Sequence, residues 1–254
     1  MWRFVSAQAT GTSHLRADLS CQDRLACGEL LDGVFVAVMA DGAGSAAMGG
    51  LGAEVAVKVV FSHLERGLKE GHPDLAFLLR EAAEFARQEV LAEAVQQGHE
   101  PRELASTLLA LVVSGAGGGA MQIGDGVIVV SEGMEEWGWM FWPQRGEYAN
   151  TTYFLTDADA LTRLQVDTFS LVVTDAALMT DGLEPLALHY ATKTVHDPFF
   201  KTMFHHVVTS PGDAELTELS SDLERFLLSD QVRSRTDDDS SLILATRRSQ
   251  RTFQ

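Results

Sequence analysis

The sequence predicts an α+β fold in which antiparallel sheets are layered between pairs of helices, and three observations lead there. Asp32-Gly33 is a two-residue hairpin signal joining two early apolar strands. Two helical periodicities then follow each other with no strand between them, unlike the strict alternation of a parallel sheet. A meander of short strands, a second helix pair and a closing strand complete the order.

Residues 2–9, 24–31 and 34–40 read as strands, the last ending at Asp41. A glycine- and alanine-rich loop, 42–50, leads into a helix on which Leu51, Val55 and Val59 recur at helical spacing. Pro73-Asp74 marks the start of the next helix, which carries Leu75, Leu78, Leu79, Ala82, Phe85 and Ala86 on one face. The β pattern returns at 108–113, 120–123 and 127–130, with further short strands expected around 137–142 and 151–155. The glycines of 115–119 read as a hairpin loop, since no Lys-Ser/Thr follows to make a phosphate cradle. Strands at 169–174 and 176–180, helices near 186–206 and 213–229 and a last strand at 241–246 finish the pattern. One domain is expected over 1–247, with 248–254 as a basic tail.

At 254 residues and 46% hydrophobic content, the chain can bury the core of one enzyme-sized domain. A net charge of −17 excludes sequence-independent binding to nucleic acid, which needs clustered Lys and Arg, and makes cations the expected guests. No apolar stretch approaches the roughly 20 residues of a membrane span, and residues 1–4 do not open a leader, so the expectation is a cytoplasmic protein off the membrane. Cys21 and Cys27 are too few for a disulfide framework and wrongly patterned for zinc; two reduced thiols are expected.

Asp23, Asp41, Asp181 and Asp238 each flank a predicted strand yet lie far apart in sequence. Only a fold that gathers strand ends would unite them, and gathered carboxylates call for hard cations such as Mg²⁺ or Mn²⁺, which prefer oxygen ligands. Two such ions sharing a carboxylate can lower the pKa of a bridging water for in-line attack on phosphorus. Taken singly, Asp41-Gly42 and Asp181-Gly182 read equally well as turn dipeptides, as Asp32-Gly33 does.

Six motifs in one order change that balance: Cys21-Gln22-Asp23-Arg24, Ala40-Asp41-Gly42-Ala43-Gly44, Ala105-Ser106-Thr107, Ile123-Gly124-Asp125-Gly126, Met179-Thr180-Asp181-Gly182-Leu183 and the run from Asp238 to Leu244. In them the sequence resembles the metal-dependent protein phosphatases (PPM, type 2C), in a divergent bacterial-type branch. The resemblance implies a four-layer αββα sandwich and a serine/threonine protein phosphatase using two Mn²⁺ or Mg²⁺ ions and possible room for a weaker third. It implies that Asp41 bridges the ions, that the Gly42 carbonyl binds one of them, and that Asp181 and Asp238 bind the other. Asp23 would either orient metal-bound water or stand behind the ligands without touching an ion, and Asp125 with Asp181 would hold the third ion. The residues alone leave Asp125-Gly126 equally open to a hairpin-turn reading. Expected partners are a phosphorylated protein substrate of a cognate kinase, with the enzyme a monomer.

Three departures from the family pattern stand out. Gln22 occupies a usual glutamate position and offers the second ion only an amide oxygen. Position 18, usually the arginine that holds substrate phosphate, is aspartate, which makes Arg16 the candidate substitute. Ala43 stands where many members carry a histidine acid, so His14 becomes the candidate proton donor. These losses motivate a competing reading, a catalytically weak sensor or scaffold that binds phosphoproteins. A haloacid-dehalogenase-like use of Asp41 as nucleophile wants a second aspartate two residues on, and Ala43 is there instead. His205 and His206 are expected to pack in an apolar helix, and Trp137, Trp139, Phe141 and Trp142 along a strand face, a partner-docking surface being the alternative.

Overall fold

A computed structural model of the protein describes residues 1–31, 33–72, 74–133, 136–146 and 152–248. The chain opens with β1 (Arg3–Ala9), the short helix α1 (Thr12–Arg16) and the antiparallel pair β2 (Arg24–Leu31) and β3 (Val34–Ala40). Two long helices follow, α2 (Gly49–Lys69) and α3 (Leu75–Gln97). The Asp74 carboxylate caps α3 by accepting from the Phe77 N–H, and Gly98 ends it in the left-handed region at φ 75°. Then come β4 (Leu108–Ser114), β5 (Gly117–Ile123), β6 (Val127–Ser131), β7 (Trp137–Trp139), α4 (Ala160–Arg163), β8 (Gln165–Phe169) and β9 (Asp175–Met179). The chain closes through α5 (Glu184–Ala187), the small hairpin β10 (Leu188–His189) and β11 (Thr194–Val195), α6 (Asp197–Thr209), α7 (Asp213–Leu227), α8 (Asp230–Arg233) and β12 (Ser240–Thr246).

Two five-stranded sheets form, ordered β2-β3-β4-β5-β8 and β1-β12-β9-β6-β7, with antiparallel pairing throughout. Alternation along β3 explains how they stack. Val36, Val38 and Ala40 turn toward α2 and α3, while Phe35, Ala37 and Met39 turn toward Ile128, Leu178 and Ile243 of the second sheet. That sheet's other face, with Val127, Ala177, Met179 and Leu242, packs on Phe200, Phe204 and Leu223 of α6 and α7. The layers therefore run helices, sheet, sheet, helices. Because central strands are buried on both faces, they read in the sequence as continuous apolar runs. Among the described residues no helix is long and apolar enough to cross a membrane, and both cysteines are free.

Several local expectations change. The helix expected at 186–206 is broken by β10 and β11, and a new helix begins with Pro198 in its first turn, where the missing N–H costs no bond. The run expected as a strand at 169–174 leaves its sheet at Phe169 and crosses to the other; Leu171 and Val173 are apolar because they lie between the sheets. No strand forms over 152–155, and the one expected at 137–142 stops at Trp139. The glycine loop at 115–119 shortens, since Gly117 already pairs with Ser114. His205 and His206 are exposed, because helical spacing turns Phe200, Phe204, Val207 and Val208 inward instead. Trp137 is buried against Phe200 and Phe204, whereas Trp139 is exposed. Arg248, placed in the tail, is anchored 2.7 Å from the buried Asp175; residues 249–254 and Asp32 lie outside the described residues.

Candidate active site

The antiparallel stacking brings one set of strand ends to a common rim. Asp41 follows β3, Asp181 follows β9 by two residues, Asp23 precedes β2, Asp238 lies two residues before β12, and Asp125 lies where the chain passes from β5 in one sheet to β6 in the other. That crossing overturns the hairpin reading of Asp125-Gly126, because β5 and β6 are not paired strands. Asp41 is clamped by Thr107, whose Oγ1 accepts from the Asp41 N–H at 2.9 Å and whose N–H donates to the Asp41 carbonyl at 2.8 Å. Gly42 is needed for close approach: a Cβ there would lie 2.4 Å from the Gly49 carbonyl carbon at the start of α2. Gly182 is constrained likewise, since a Cβ would fall 2.0 Å from the Asp239 carbonyl oxygen.

The five carboxylates feel one another. Asp41 is pushed well above the ordinary carboxylate range by burial first and then by the charges of Asp23, Asp181, Asp238 and Asp125. Asp181 is raised well above that range by burial, Asp125, Asp238, Asp23 and Glu184. Burial lifts Asp23 to about 7, although its Oδ2 accepts from Ser241 Oγ at 2.7 Å and Thr180 Oγ1 at 2.9 Å, bonds that favour the charged form. Asp125 rises to about 6 through burial, held down by its own backbone, Thr152 and Arg145. Asp238 is raised by burial and by Asp239, with His14 pulling the other way.

His14 is buried on α1, its Nδ1 3.0 Å from Asp239 Oδ1, an ion-pair approach rather than an aligned hydrogen bond. Its Nε2 faces Gly44 in the loop after Asp41, 3.3 Å from where a Cβ on that glycine would stand. Gln22 has other work than that expected of a ligand: its Oε1 accepts from the Gly50 N–H and its Nε2 donates to the Ser20 carbonyl, each at 2.7 Å. Oε1 thus clamps backbone at the start of α2, and Nε2 clamps the loop that carries Gln22 itself. Arg16 is exposed at the end of α1 and makes no ion pair among the described residues.

Sequence reasoning gave no role to Asp239, which is buried and accepts from the Gly11 N–H at 2.7 Å and the Gln22 N–H at 2.5 Å. It ties the segment carrying His14 and Asp23 to the strand carrying Asp238. Its partners lie more than 200 residues away, so the only signal was a second acid beside Asp238. Glu184 was also missed; it is buried three residues after Asp181.

This donor set fits hard divalent cations. Asp23 Oδ1 and Asp181 Oδ1 are buried without a hydrogen-bond partner among the described residues, and an orphaned carboxylate oxygen inside a ring of acids is costly unless positive charge joins it. As the side chains stand, no three acidic, histidine or cysteine groups among the described residues converge as a ready ligand shell. Like charges push one another apart.

Two antiparallel sheets between helix pairs, with carboxylates pooled at one sheet rim, define the class of metal-dependent protein phosphatases. The chain belongs to the protein phosphatase 2C family: the family profile described as Protein phosphatase 2C matches residues 10–227. It is 39% identical over 256 residues to serine/threonine-protein phosphatase 3 of Escherichia coli (strain K12), covering 96% of this chain and 98% of that protein. The fold matches a bacterial serine phosphatase with a TM-score of 0.68 at 15% identity, covering 98% of this chain and 99% of the other. It also matches the catalytic domain of the serine/threonine protein phosphatase PstP, solved with two manganese ions, with a TM-score of 0.66 at 18% identity, covering 96% and 97% of the chains.

Proposed function

We propose that this protein phosphatase hydrolyses phosphoserine and phosphothreonine in proteins, with Mn²⁺ or Mg²⁺ held by Asp41, Asp181 and Asp238, the Gly42 carbonyl, and Asp125 at a weaker site. The observation that carries the reading is that Asp23 Oδ1 and Asp181 Oδ1 are buried without a hydrogen-bond partner among the described residues, in a group of acids that repel one another. When bound, a pair of hard cations offsets that repulsion, neutralises phosphoryl oxygens and makes water acidic enough to attack phosphorus. Asp23 Oδ1, pointed into the cluster while Oδ2 is held by Thr180 and Ser241, takes the proton of the attacking water. His14, placed against the Gly44 loop and held at Asp239, gives a proton to the departing seryl or threonyl oxygen as its bond to phosphorus breaks.

Hydrolysis of a phosphothreonine peptide and of p-nitrophenyl phosphate, with and without Mn²⁺, tests the reading. Turnover should require the ion and be abolished in Asp41→Asn with the fold intact; full turnover in that variant refutes the site. A second reading, a catalytically weak phosphoprotein sensor, is favoured by one observation, the commitment of Gln22 to backbone partners where a carboxylate ligand is usual. Tight phosphopeptide binding by a folded protein with no metal-dependent turnover would establish it.

A further inference from the structure

We propose that Arg145 is the side chain that grips the substrate phosphate, with Tyr190 and Glu184 as its positioning residues; the assignment rests on the phosphatase reading above. A phosphate dianion approaching a rim of five carboxylates on a chain of net charge −17 needs a fixed cation at its edge. Position 18 cannot supply one: it is an exposed aspartate in the left-handed region at φ 57°. Arg145, in the segment after β7, stands beside the cluster: the preceding Gln144 donates its N–H to the Gly124 carbonyl at 3.1 Å and accepts from the Gly124 N–H at 2.8 Å, one residue before Asp125.

The guanidinium is oriented on two sides. Its Nη2 lies 3.1 Å from Glu184 Oε2, and its carbon sits 4.4 Å from the centre of the Tyr190 ring, over the ring face. Tyr190 is in turn braced edge-on by Trp142 at 5.2 Å, and Trp142 by Trp139 at 5.5 Å. Glu184 is itself fixed by burial in α5, one turn past Asp181. Arginine presents five planar donors, of which Glu184 takes one and the Tyr190 side chain engages the guanidinium as well. The side chain is 53% exposed, leaving its remaining edge open to a phosphate that can accept two parallel bonds.

The experiment compares wild type, R145A and R145K at saturating Mn²⁺. It measures KM and kcat on p-nitrophenyl phosphate and on a phosphothreonine peptide, inhibition by inorganic phosphate, and calorimetric binding of inorganic phosphate to the Mn²⁺-loaded protein. R145A should raise KM and weaken inorganic phosphate by about tenfold or more, the loss expected for one charge-assisted pair. R145K should fall between because it keeps the charge without the fork. Unchanged KM and phosphate affinity in R145A and R145K would overturn the assignment, as would the same loss appearing in R16A in its place. Should the wild type show no metal-dependent turnover, the phosphatase reading fails by itself, and calorimetry with inorganic phosphate still decides for or against Arg145.

Discussion

Asp23→Asn should stabilise the metal-free protein above neutral pH. Asp23 is fully buried, and its pKa rises from 3.8 to about 7, with desolvation the largest cause. A raised carboxyl pKa means that the fold prefers the protonated acid. The penalty is therefore absent below about pH 4, grows between about 4 and 7, and is complete above the folded value. At about 1.4 kcal/mol per pH unit, that interval corresponds to about 4 kcal/mol as an upper figure. Asn keeps the side-chain volume and an oxygen to accept from Thr180 and Ser241, and it relieves Asp41 of one neighbouring charge. Since the acids titrate together, about 1–3 kcal/mol of the total should be recovered. The assay is urea unfolding in EDTA from about pH 4 to pH 8, with stability taken from midpoint and slope. Wild-type stability should decline across that range, the variant should decline less, and saturating Mn²⁺ should flatten the wild-type curve. If the variant is no more stable than wild type at about pH 8, the buried-charge account of the cluster is wrong.

Three further outcomes follow from the geometry. His14→Ala should slow release of an alkyl phosphate by about 100-fold while sparing an aryl phosphate with a good leaving group; equal losses on both substrates would remove its role as acid. Gln22→Ala strips the acceptor from the Gly50 N–H at the start of α2 and should cost about 1 kcal/mol in thermal unfolding with little change in Mn²⁺ affinity; a large fall in affinity measured by calorimetry would return Gln22 to the ligand set. Gly52→Ala places a Cβ 2.0 Å from the Leu104 carbonyl oxygen, so α2 must shift away from the segment leading to Thr107, costing about 1–3 kcal/mol. Unchanged stability there would show that the two segments are not packed as closely as described.

What the sequence showed and what it hid follow from the range of the forces involved. Strands buried on both faces must be apolar at every position, so the runs ending at Asp41 and Asp181 stood out along the chain. The paired glycines were visible as residue types, but their cause was not, because it lies in backbone from elsewhere: Gly49 behind Gly42, Asp239 behind Gly182. The run at 171–173 misled for the same reason. Its Leu171 and Val173 are apolar through lying between two sheets, and burial alone does not distinguish a crossing segment from a strand. Arg145 and Glu184 carried no local pattern at all, since a guanidinium's partners are set by tertiary placement and not by period.

The electrostatics of the rim explains why so much apolar packing surrounds it. Asp23 and Ser241 are 218 residues apart and yet hydrogen-bonded, and Asp41 and Asp181 are each raised by acids that arrive on different elements. Such an arrangement gains nothing from mutual repulsion; it persists because the strand ends are fixed. The strand ends are held because β3, β4, β9 and β12 are sealed between layers, with side chains such as Phe35, Leu109, Leu178 and Ile243 interdigitated from both sheets. The rigidity of the sandwich thus sets the affinity of the site. A cavity opened between the sheets, as by Leu178→Ala, should loosen the acids and weaken Mn²⁺ binding without touching a single ligand, whereas the same truncation at Leu223, on α7 beneath the second sheet, should lower stability and leave the ion bound.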